Sequence, residues 1–118
     1  SGLAGLPAGG PASTDGVVVR YQSFGSADKG TFPVMEAPYN KGRTLSHETG
    51  HWLGLRHIWG DGNCADDFVS DTPAAAGPSS GCPTGRVSCG GLNMVENYMD
   101  YSFDACMNIF TQGQKARM

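Results

Sequence analysis

The sequence lacks the features that mark membrane-spanning and nucleic-acid-binding proteins. Its 118 residues contain no apolar run approaching the ~18 that a membrane span needs. The eight lysines and arginines form no cluster, and eleven acidic residues give a net charge of −3, which argues against an anionic partner. The glycine-rich start also lacks the charged region and apolar middle of a signal peptide. We therefore expect a soluble chain with no nucleic-acid and no membrane partner.

Aromatic residues are scarce, at 9%, and only 39% of the chain is hydrophobic. Glycine (18) and proline (7) together supply 25 of the 118 positions, which favours a loop-rich fold over a helical bundle. The length fits one domain or a piece of one, since compact domains usually have about 100 to 150 residues. Much of the stability must therefore come from something besides an apolar core.

No two cysteines have the two-residue gap of a zinc knuckle or a redox motif. The four cysteines are Cys64, Cys82, Cys89 and Cys106. An even number in a small loop-rich chain favours two disulfides in an oxidising compartment over free buried thiols, and the spacing alone leaves the connectivity open. Such a compartment is extracellular or periplasmic, and we expect a secreted, extracellular protein. Removal of a signal before this chain begins would explain why none is seen here.

The N-terminal part of the chain shows little regular structure. Residues 1–16 are mostly Gly, Ala, Pro and Ser, which predicts a flexible arm. Val17 to Tyr21 reads as a short strand. A helix follows at about Thr44 to Leu55, with Leu45, Thr49, Trp52 and Leu53 on one side and His47 and His51 on the other.

The C-terminal part is dominated by a long loop. Almost every residue from 60 to 91 is small, polar, Gly or Pro, and so long a loop in a compact domain needs covalent or metal support. Thr111 to Gln114 then fits a capping box that opens a helix. We divide the chain into an arm (1–16), a strand with a helix (17–57) and a lower subdomain (58–118).

The strongest signal in the sequence is the run from His47 to His57, which contains all three histidines. His47 and His51 are four residues apart, so a helix presents both imidazoles on one face. Gly54 allows the chain to turn, after which His57 can supply a third imidazole. Three imidazoles and one open position describe a catalytic zinc site, because structural sites usually close all four positions.

Glu48 flanks that face of the helix without needing to bind the ion. Zinc in such a site lowers the pKa of a bound water to about 7 and polarises a carbonyl. Glu48 can then act as the general base and return the proton to a leaving amine. Chance placement of three histidines is the alternative, but five fixed positions in eleven residues are far more specific than the five-residue core alone. The pattern therefore predicts a zinc endopeptidase that acts on a protein or peptide substrate.

This pattern resembles the metzincin metallopeptidases, whose zinc motif is followed by a methionine turn. Asn97-Tyr98-Met99-Asp100-Tyr101, with Cys106-Met107 and Phe110-Thr111 after it, is similar to the pappalysin family. The His47 to Leu55 run and Ser70-Asp71-Thr72-Pro73 resemble the bacterial and fungal members of that family. The similarity covers about Asp15 to Met118.

The resemblance implies roles for further residues. Met99 would lie beneath the zinc site, and Tyr101 would approach the metal and stabilise the transition state. The alternatives are that Met99 is an ordinary core residue and that Tyr101 is an ordinary half-buried phenol. The family's disulfides imply Cys64 with Cys89 and Cys82 with Cys106. The implied fold is α+β, a metzincin-like catalytic domain with an active-site helix, an irregular disulfide-linked lower subdomain, a Met-turn and a C-terminal helix.

The resemblance also implies a structural calcium ion in the long loop. Its four aspartates are Asp61, Asp66, Asp67 and Asp71. Oxygen ligands at irregular spacing suit calcium, and Asp67 with the backbone of Thr72 are the candidate ligands. Solvated loop carboxylates are the alternative.

The chain departs from the family where the upper subdomain should be. Only 46 residues precede His47, with one strand candidate, so we expect a reduced upper sheet and a partial catalytic domain whose partners include a missing N-terminal segment. In the family the edge strand above the cleft pairs with the substrate backbone. Relatives that favour a basic residue after the scissile bond have an acidic pocket residue near Cys106; Asp104 is the candidate, and Ala105 leaves that preference open.

Two other functions therefore stay open beside the peptidase. One is a catalytically weak fragment, stabilised by zinc and calcium, that binds a partner or needs a complementary N-terminal piece. The other is a disulfide-stapled extracellular binding module, whose function would survive zinc chelation.

Overall fold

The computed structural model describes residues 2–7 and 9–118. Its helices and strands are β1 (Gly2–Ala4), β2 (Val17–Val19), α1 (Arg43–Trp52), β3 (Val87–Ser88), β4 (Gly91–Leu92) and α2 (Gln112–Arg117). Single 3₁₀ turns lie at Ala12–Thr14, Tyr21–Ser23, Ala27–Lys29 and Asp104–Cys106. The described residues thus form a small α+β fold with two short two-stranded sheets, which agrees with the predicted class.

The first sheet lies against helix α1. β1 pairs antiparallel with β2, with Gly2 opposite Val19 and Ala4 opposite Val17, and both strands pack against α1. Residues 1–16 were predicted to be a flexible arm, but residues 2–4 form a strand, because β-branched β2 offers an edge to pair with. The predicted strand from Val17 ends at Val19, since a 3₁₀ turn follows. Ser1 and Ala8 lie outside the described residues.

Helix α1 ends three residues before the predicted Leu55. Gly54 has a φ of 101°, and its N–H donates to the carbonyl of His51, while the N–H of Leu55 donates to the carbonyl of Gly50. These two bonds are the Schellman arrangement that terminates a helix at a glycine. Gly54 therefore turns the chain away from the helix three residues after His51, the second histidine.

The buried side of α1 is its polar side. The buried residues are Thr44, His47, Glu48 and Gly50. Trp52 and Leu53, on the apolar side, are 40% and 36% exposed. The helix therefore packs by enclosing its histidines and Glu48, and not by burying an apolar stripe as a surface helix usually does.

The apolar core lies below α1, in the second half of the chain. It consists of Leu55, Ile58, Trp59, Ala75 and Met99, with Phe110 packed against it. Two disulfides, Cys64–Cys89 and Cys82–Cys106, cross the long loop, and they are the pairs that the resemblance implied. They interlock along the chain, so together they connect residues 64 to 106 and give the loop the covalent support that it was predicted to need.

Within that loop the structure adds a hairpin that the sequence pattern did not predict. Strands β3 and β4 pair antiparallel around Cys89 and Gly90, which have φ values of 54° and 81°. Positive φ at both central residues defines the type I′ turn. The signal was hidden because a cysteine, not the usual Asn or Asp, occupies the first turn position.

The C-terminal helix begins as predicted. The Thr111 hydroxyl accepts from the Gln114 N–H and the Gln114 side chain accepts from the Thr111 N–H, forming a capping box at the start of α2. No helix in the described ranges is both long and apolar enough to cross a membrane. The division of the chain at residues 17 and 58 stays a prediction.

Candidate metal centre and active-site cleft

The three predicted histidines converge on one point. The Nε2 atom of His51 lies 3.2 Å from Nε2 of His47 and 3.1 Å from Nε2 of His57. His47 and His51 are one turn apart on α1, and His57 reaches them from the segment that follows the Gly54 turn. Among the described residues, this is the one group of three or more metal-binding side chains close enough to share an ion.

The second ring nitrogen of each histidine has an acceptor. The Nδ1 atoms of His47 and His51 lie 2.6 Å and 2.8 Å from the backbone carbonyls of Tyr98 and Leu55. Nδ1 of His57 lies 2.5 Å from Oδ1 of Asp61. Because these acceptors carry no proton to donate, each Nδ1 holds the proton and each Nε2 presents a lone pair to the shared point. This tautomer is the one that binds a metal through Nε2.

The donor set fits a zinc ion. Zinc binds imidazole nitrogens at about 2.0 to 2.1 Å in tetrahedral geometry, which places neighbouring nitrogens roughly 3.3 Å apart. The two Nε2 separations of 3.1 and 3.2 Å are close to that value. Three lone pairs that face each other also repel unless a cation lies between them. His47, His51 and His57 could therefore hold zinc and leave a fourth position open.

Burial disfavours the charged form of two of the histidines. It lowers the pKa of His47 to about 4, and His51 lowers it further while the Tyr98 carbonyl opposes the shift. Burial also lowers the pKa of His57, against the raising effect of Asp61. Neutral imidazole is the form that binds metals, so the environment of these two side chains favours metal binding.

Glu48 lies next to this cluster and is only 8% exposed. Burial raises the pKa of its carboxyl, while the neighbouring His51 lowers it. Glu48 lines two adjoining cavities, of about 480 and 280 Å³, together with Gly2, His47 and Tyr101. It thus lies in the cleft beside the histidines without being one of the converging groups.

Tyr101 forms the other wall of the cleft. Its ring centroid lies 5.6 Å from that of His47 and 4.9 Å from that of His57. Partial burial raises the pKa of its phenol, and the charges of Glu48 and Asp61 raise it further. The phenol therefore stays protonated at neutral pH and can donate a hydrogen bond beside the three histidines.

Known proteins are similar to this chain in both sequence and fold. The profile of peptidase family M43, described as pregnancy-associated plasma protein-A, matches residues 1–118. The chain belongs to this family, the pappalysins. It is 57% identical over 86 residues to extracellular metalloprotease 1 of Coccidioides posadasii, covering 70% of this chain and 31% of the relative. It is 45% identical over 130 residues to an extracellular metalloprotease of Arthroderma benhamiae, covering all of this chain and 45% of the relative.

A solved pappalysin structure confirms the fold. Mature mirolysin of Tannerella forsythia, in complex with a cleaved peptide, matches with a TM-score of 0.85 and 45% identity, over 98% of this chain and 45% of that one. The predicted metzincin-type fold is therefore correct. The chain spans less than half the length of these relatives.

Met99 lies directly beneath the active-site helix and is fully buried. A Cβ atom at Gly50 would lie 2.5 Å from the Met99 sulfur, so only glycine allows the helix to approach this methionine so closely. The N–H of Ile58 donates to the Met99 carbonyl. The methionine turn thus touches both helix α1 and the segment that carries the third histidine, and the role of Met99 as the base of the site stays a prediction.

The turn is held by a pair of amides that the sequence analysis did not single out. Asn97 donates to Gln114 at 2.8 Å, and Gln114 donates back to Asn97 at 3.0 Å. Asn97 Oδ1 also accepts the N–H of Met99 at 2.9 Å. Gln114 was visible only as half of a capping box, and its second partner lies 17 positions away, so no local pattern could reveal the pair.

The four loop aspartates do not come together as a calcium site. Asp67 accepts the N–H of Val69 and the hydroxyl of Thr72, while Asp61 binds His57. Asp71 accepts the Thr111 hydroxyl at 2.7 Å and the Gly113 N–H at 2.9 Å, and so supports the start of α2. Asp67 and Thr72 thus support the loop itself, and the calcium ion stays an unsupported prediction.

Asp104 caps the active-site helix from a distance. Its Oδ2 accepts the N–H groups of Lys41 at 2.9 Å and Arg43 at 3.2 Å. This contact replaces the side-chain cap that Gly42, at the N-cap position, cannot supply. Asp104 is 1% exposed and is not among the residues that line the 480 Å³ cavity. Its role in selecting a basic substrate residue stays a prediction.

Proposed function

We propose that this chain carries the catalytic centre of a secreted, zinc-dependent endopeptidase. The observation that carries the proposal is the convergence of three histidine Nε2 atoms, with separations of 3.1 and 3.2 Å from His51, beside the buried carboxyl of Glu48. Membership of the pappalysin family supports it. The names of the two fungal relatives, which are extracellular metalloproteases, support secretion.

In this proposal His47, His51 and His57 hold the ion, and Glu48 is the general base. When bound, zinc supplies a Lewis acid that acidifies a water molecule to a pKa near 7 and polarises the scissile carbonyl. Glu48 removes the proton from the attacking water and passes it to the leaving amine. The raised pKa of its carboxyl suits both steps, because the group must accept a proton and then release it near neutral pH.

Tyr101 is the second catalytic residue of the proposal. Its phenol is 48% exposed on the cleft side, which leaves it free to donate to the negative oxygen that forms on the carbonyl during attack. The substrate is a peptide or protein segment in the cleft, consistent with the cleaved peptide in the mirolysin complex. Met99 has a structural role beneath the site.

The decisive experiment compares cleavage of a denatured protein by the wild type, by Glu48→Ala and by wild type treated with a zinc chelator. We expect activity only in the untreated wild type, with a loss of at least about 10²-fold in Glu48→Ala because general base catalysis contributes that much. Glu96→Ala, at a half-buried glutamate outside both cavities, is the matched control and should keep full activity.

Two results would contradict the proposal in different ways. Equal cleavage by Glu48→Ala and wild type would show that Glu48 is not the general base. One tightly bound zinc per chain with no cleavage by any sample would favour the partner-dependent fragment, in which the metal site forms but substrate binding needs a further segment.

A further inference from the structure

The group that orients His57 differs in kind from those that orient the other two histidines. Backbone carbonyls accept from His47 and His51, whereas a side-chain carboxylate, that of Asp61, accepts from His57 at 2.5 Å. His57 also lies beyond the end of α1, so no helical backbone fixes its position. The orientation of the His57 imidazole therefore depends on the contacts that the ring makes.

Two contacts of the ring, with Trp59 and with Asp61, constrain different motions. His57 stacks on Trp59 with centroids 4.3 Å apart and planes within 3°, which holds the plane of the imidazole. A half-turn of the ring would keep that stack but exchange Nδ1 with Cδ2 and Nε2 with Cε1. The hydrogen bond to Asp61 is possible in only one of these two orientations, the one that directs Nε2 to the metal point.

Asp61 is held in place by an unusual local backbone. Gly60 and Asp61 both have left-handed φ values, 61° and 58°, and a Cβ atom at Gly60 would lie 2.5 Å from the backbone of Ala65. The N–H groups of Gly60 and Gly62 donate to the carbonyls of His57 and Trp59. Aspartate tolerates this conformation better than most residues, and the turn returns its carboxylate to the ring four residues earlier.

We propose that Asp61 is the positioning residue for the third metal ligand, which selects the orientation and the Nδ1–H tautomer of His57 and strengthens its Nε2 as a donor. The inference rests on the proposed zinc site. A negative acceptor makes an imidazole a stronger metal ligand than a neutral one does, and removing such a partner typically costs 10- to 100-fold in metal affinity. The effect should therefore be visible in zinc binding itself, apart from any cleavage.

The test measures zinc affinity by competition with a chromophoric chelator for the wild type, Asp61→Ala, Asp61→Asn and Asp66→Ala. We expect Asp61→Ala to bind zinc about 10- to 100-fold more weakly. Asp61→Asn should recover part of that loss, because its amide oxygen can accept the same hydrogen bond without the charge. Asp66 contacts the N–H of Phe68 and no histidine, so Asp66→Ala is the matched control and should bind zinc as the wild type does.

The melting temperature of the zinc-free proteins separates positioning from general support of the fold. We expect zinc-free Asp61→Ala to melt slightly below zinc-free wild type, because alanine fits the left-handed φ of this position less well than aspartate, and the difference to widen when zinc is added. Equal zinc affinity in Asp61→Ala and wild type, or an equal loss of melting temperature with and without zinc, would overturn this inference alone. A wild type that binds no zinc would overturn the proposed function as well.

Discussion

The N-terminal third of the described chain and the remainder are built differently. Among the residues that the structure describes, every buried hydrophobic one lies at Leu55 or later. The described part of residues 2–41 contributes none of them, and eight of its large apolar side chains are exposed, namely Leu3, Leu6, Val18, Tyr21, Phe24, Phe32, Val34 and Tyr39. The core and both disulfides therefore belong to the part of the chain that follows α1.

The metal site depends on the second region, and the cleft depends on both. The groups that orient the three histidines come from Leu55, Asp61 and Tyr98. Gly2 and Arg20, from the first region, contribute only walls of the cleft. Metal binding and substrate contact should thus respond to different mutations, which the following experiments test.

The largest expected difference is in stability. Leu55→Ala should lower the free energy of unfolding by about 2 to 5 kcal/mol, because Leu55 is fully buried in the core. Leu3→Ala, at a residue 73% exposed, should change it by less than about 0.5 kcal/mol. Denaturant unfolding of the zinc-free proteins measures both, and equal losses would contradict the division into two regions.

A smaller loss is expected where α2 supports the methionine turn. Gln114→Ala should destabilise the protein by about 1 to 3 kcal/mol, since it leaves the buried amide of Asn97 without its partner. Gln112→Ala, at an exposed position on the same helix, is the control and should be nearly neutral. Thermal unfolding distinguishes them, and identical melting curves would show that the amide pair contributes little.

In the first region we expect an effect on catalysis without one on metal binding. A Cβ atom at Gly2 would lie 2.7 Å from Cγ of Glu48, so Gly2→Ala should displace either the strand or the proposed base. We expect kcat/KM for a peptide to fall about tenfold, or ~1.4 kcal/mol, with zinc affinity unchanged. Gly5→Ala, where a Cβ atom would have room, is the matched control. A parallel loss of zinc binding in Gly2→Ala would show that the regions are coupled.

The smallest expected effect is on acid stability. Hydrogen bonds from Thr111 and the Gly113 N–H lower the pKa of the Asp71 carboxyl. Because the folded pKa lies below the unfolded value of ~3.9, this stabilisation is complete above that value and is lost as the pH falls through the folded pKa. The stability difference between wild type and Asp71→Asn should therefore shrink from pH 5 towards pH 2. A stability difference that stays constant over this pH range would contradict the contribution of these hydrogen bonds.

Much of the site could be predicted because its signals are local. The spacing of His47 and His51 follows from helical periodicity, and Gly54 marks the turn that admits His57. The polar burial of α1, the strand at residues 2–4 and the cap that Asp104 supplies could not be predicted, because each depends on a partner distant in the sequence. From the sequence, the four loop aspartates were grouped as one calcium site. In the structure Asp61 binds His57, Asp66 and Asp67 accept hydrogen bonds within the loop, and Asp71 supports the start of α2.

The sequence by itself determined which atoms could bind a metal, since ligand chemistry and helical spacing are properties of a short segment. It also determined the family, through motifs that need no folding to be compared. Only the tertiary structure decided which nitrogen of each imidazole faces inward, because the acceptors that hold each Nδ1 proton come from Tyr98, Leu55 and Asp61. Orientation is set by hydrogen bonds between segments, and those form only when the chain has folded.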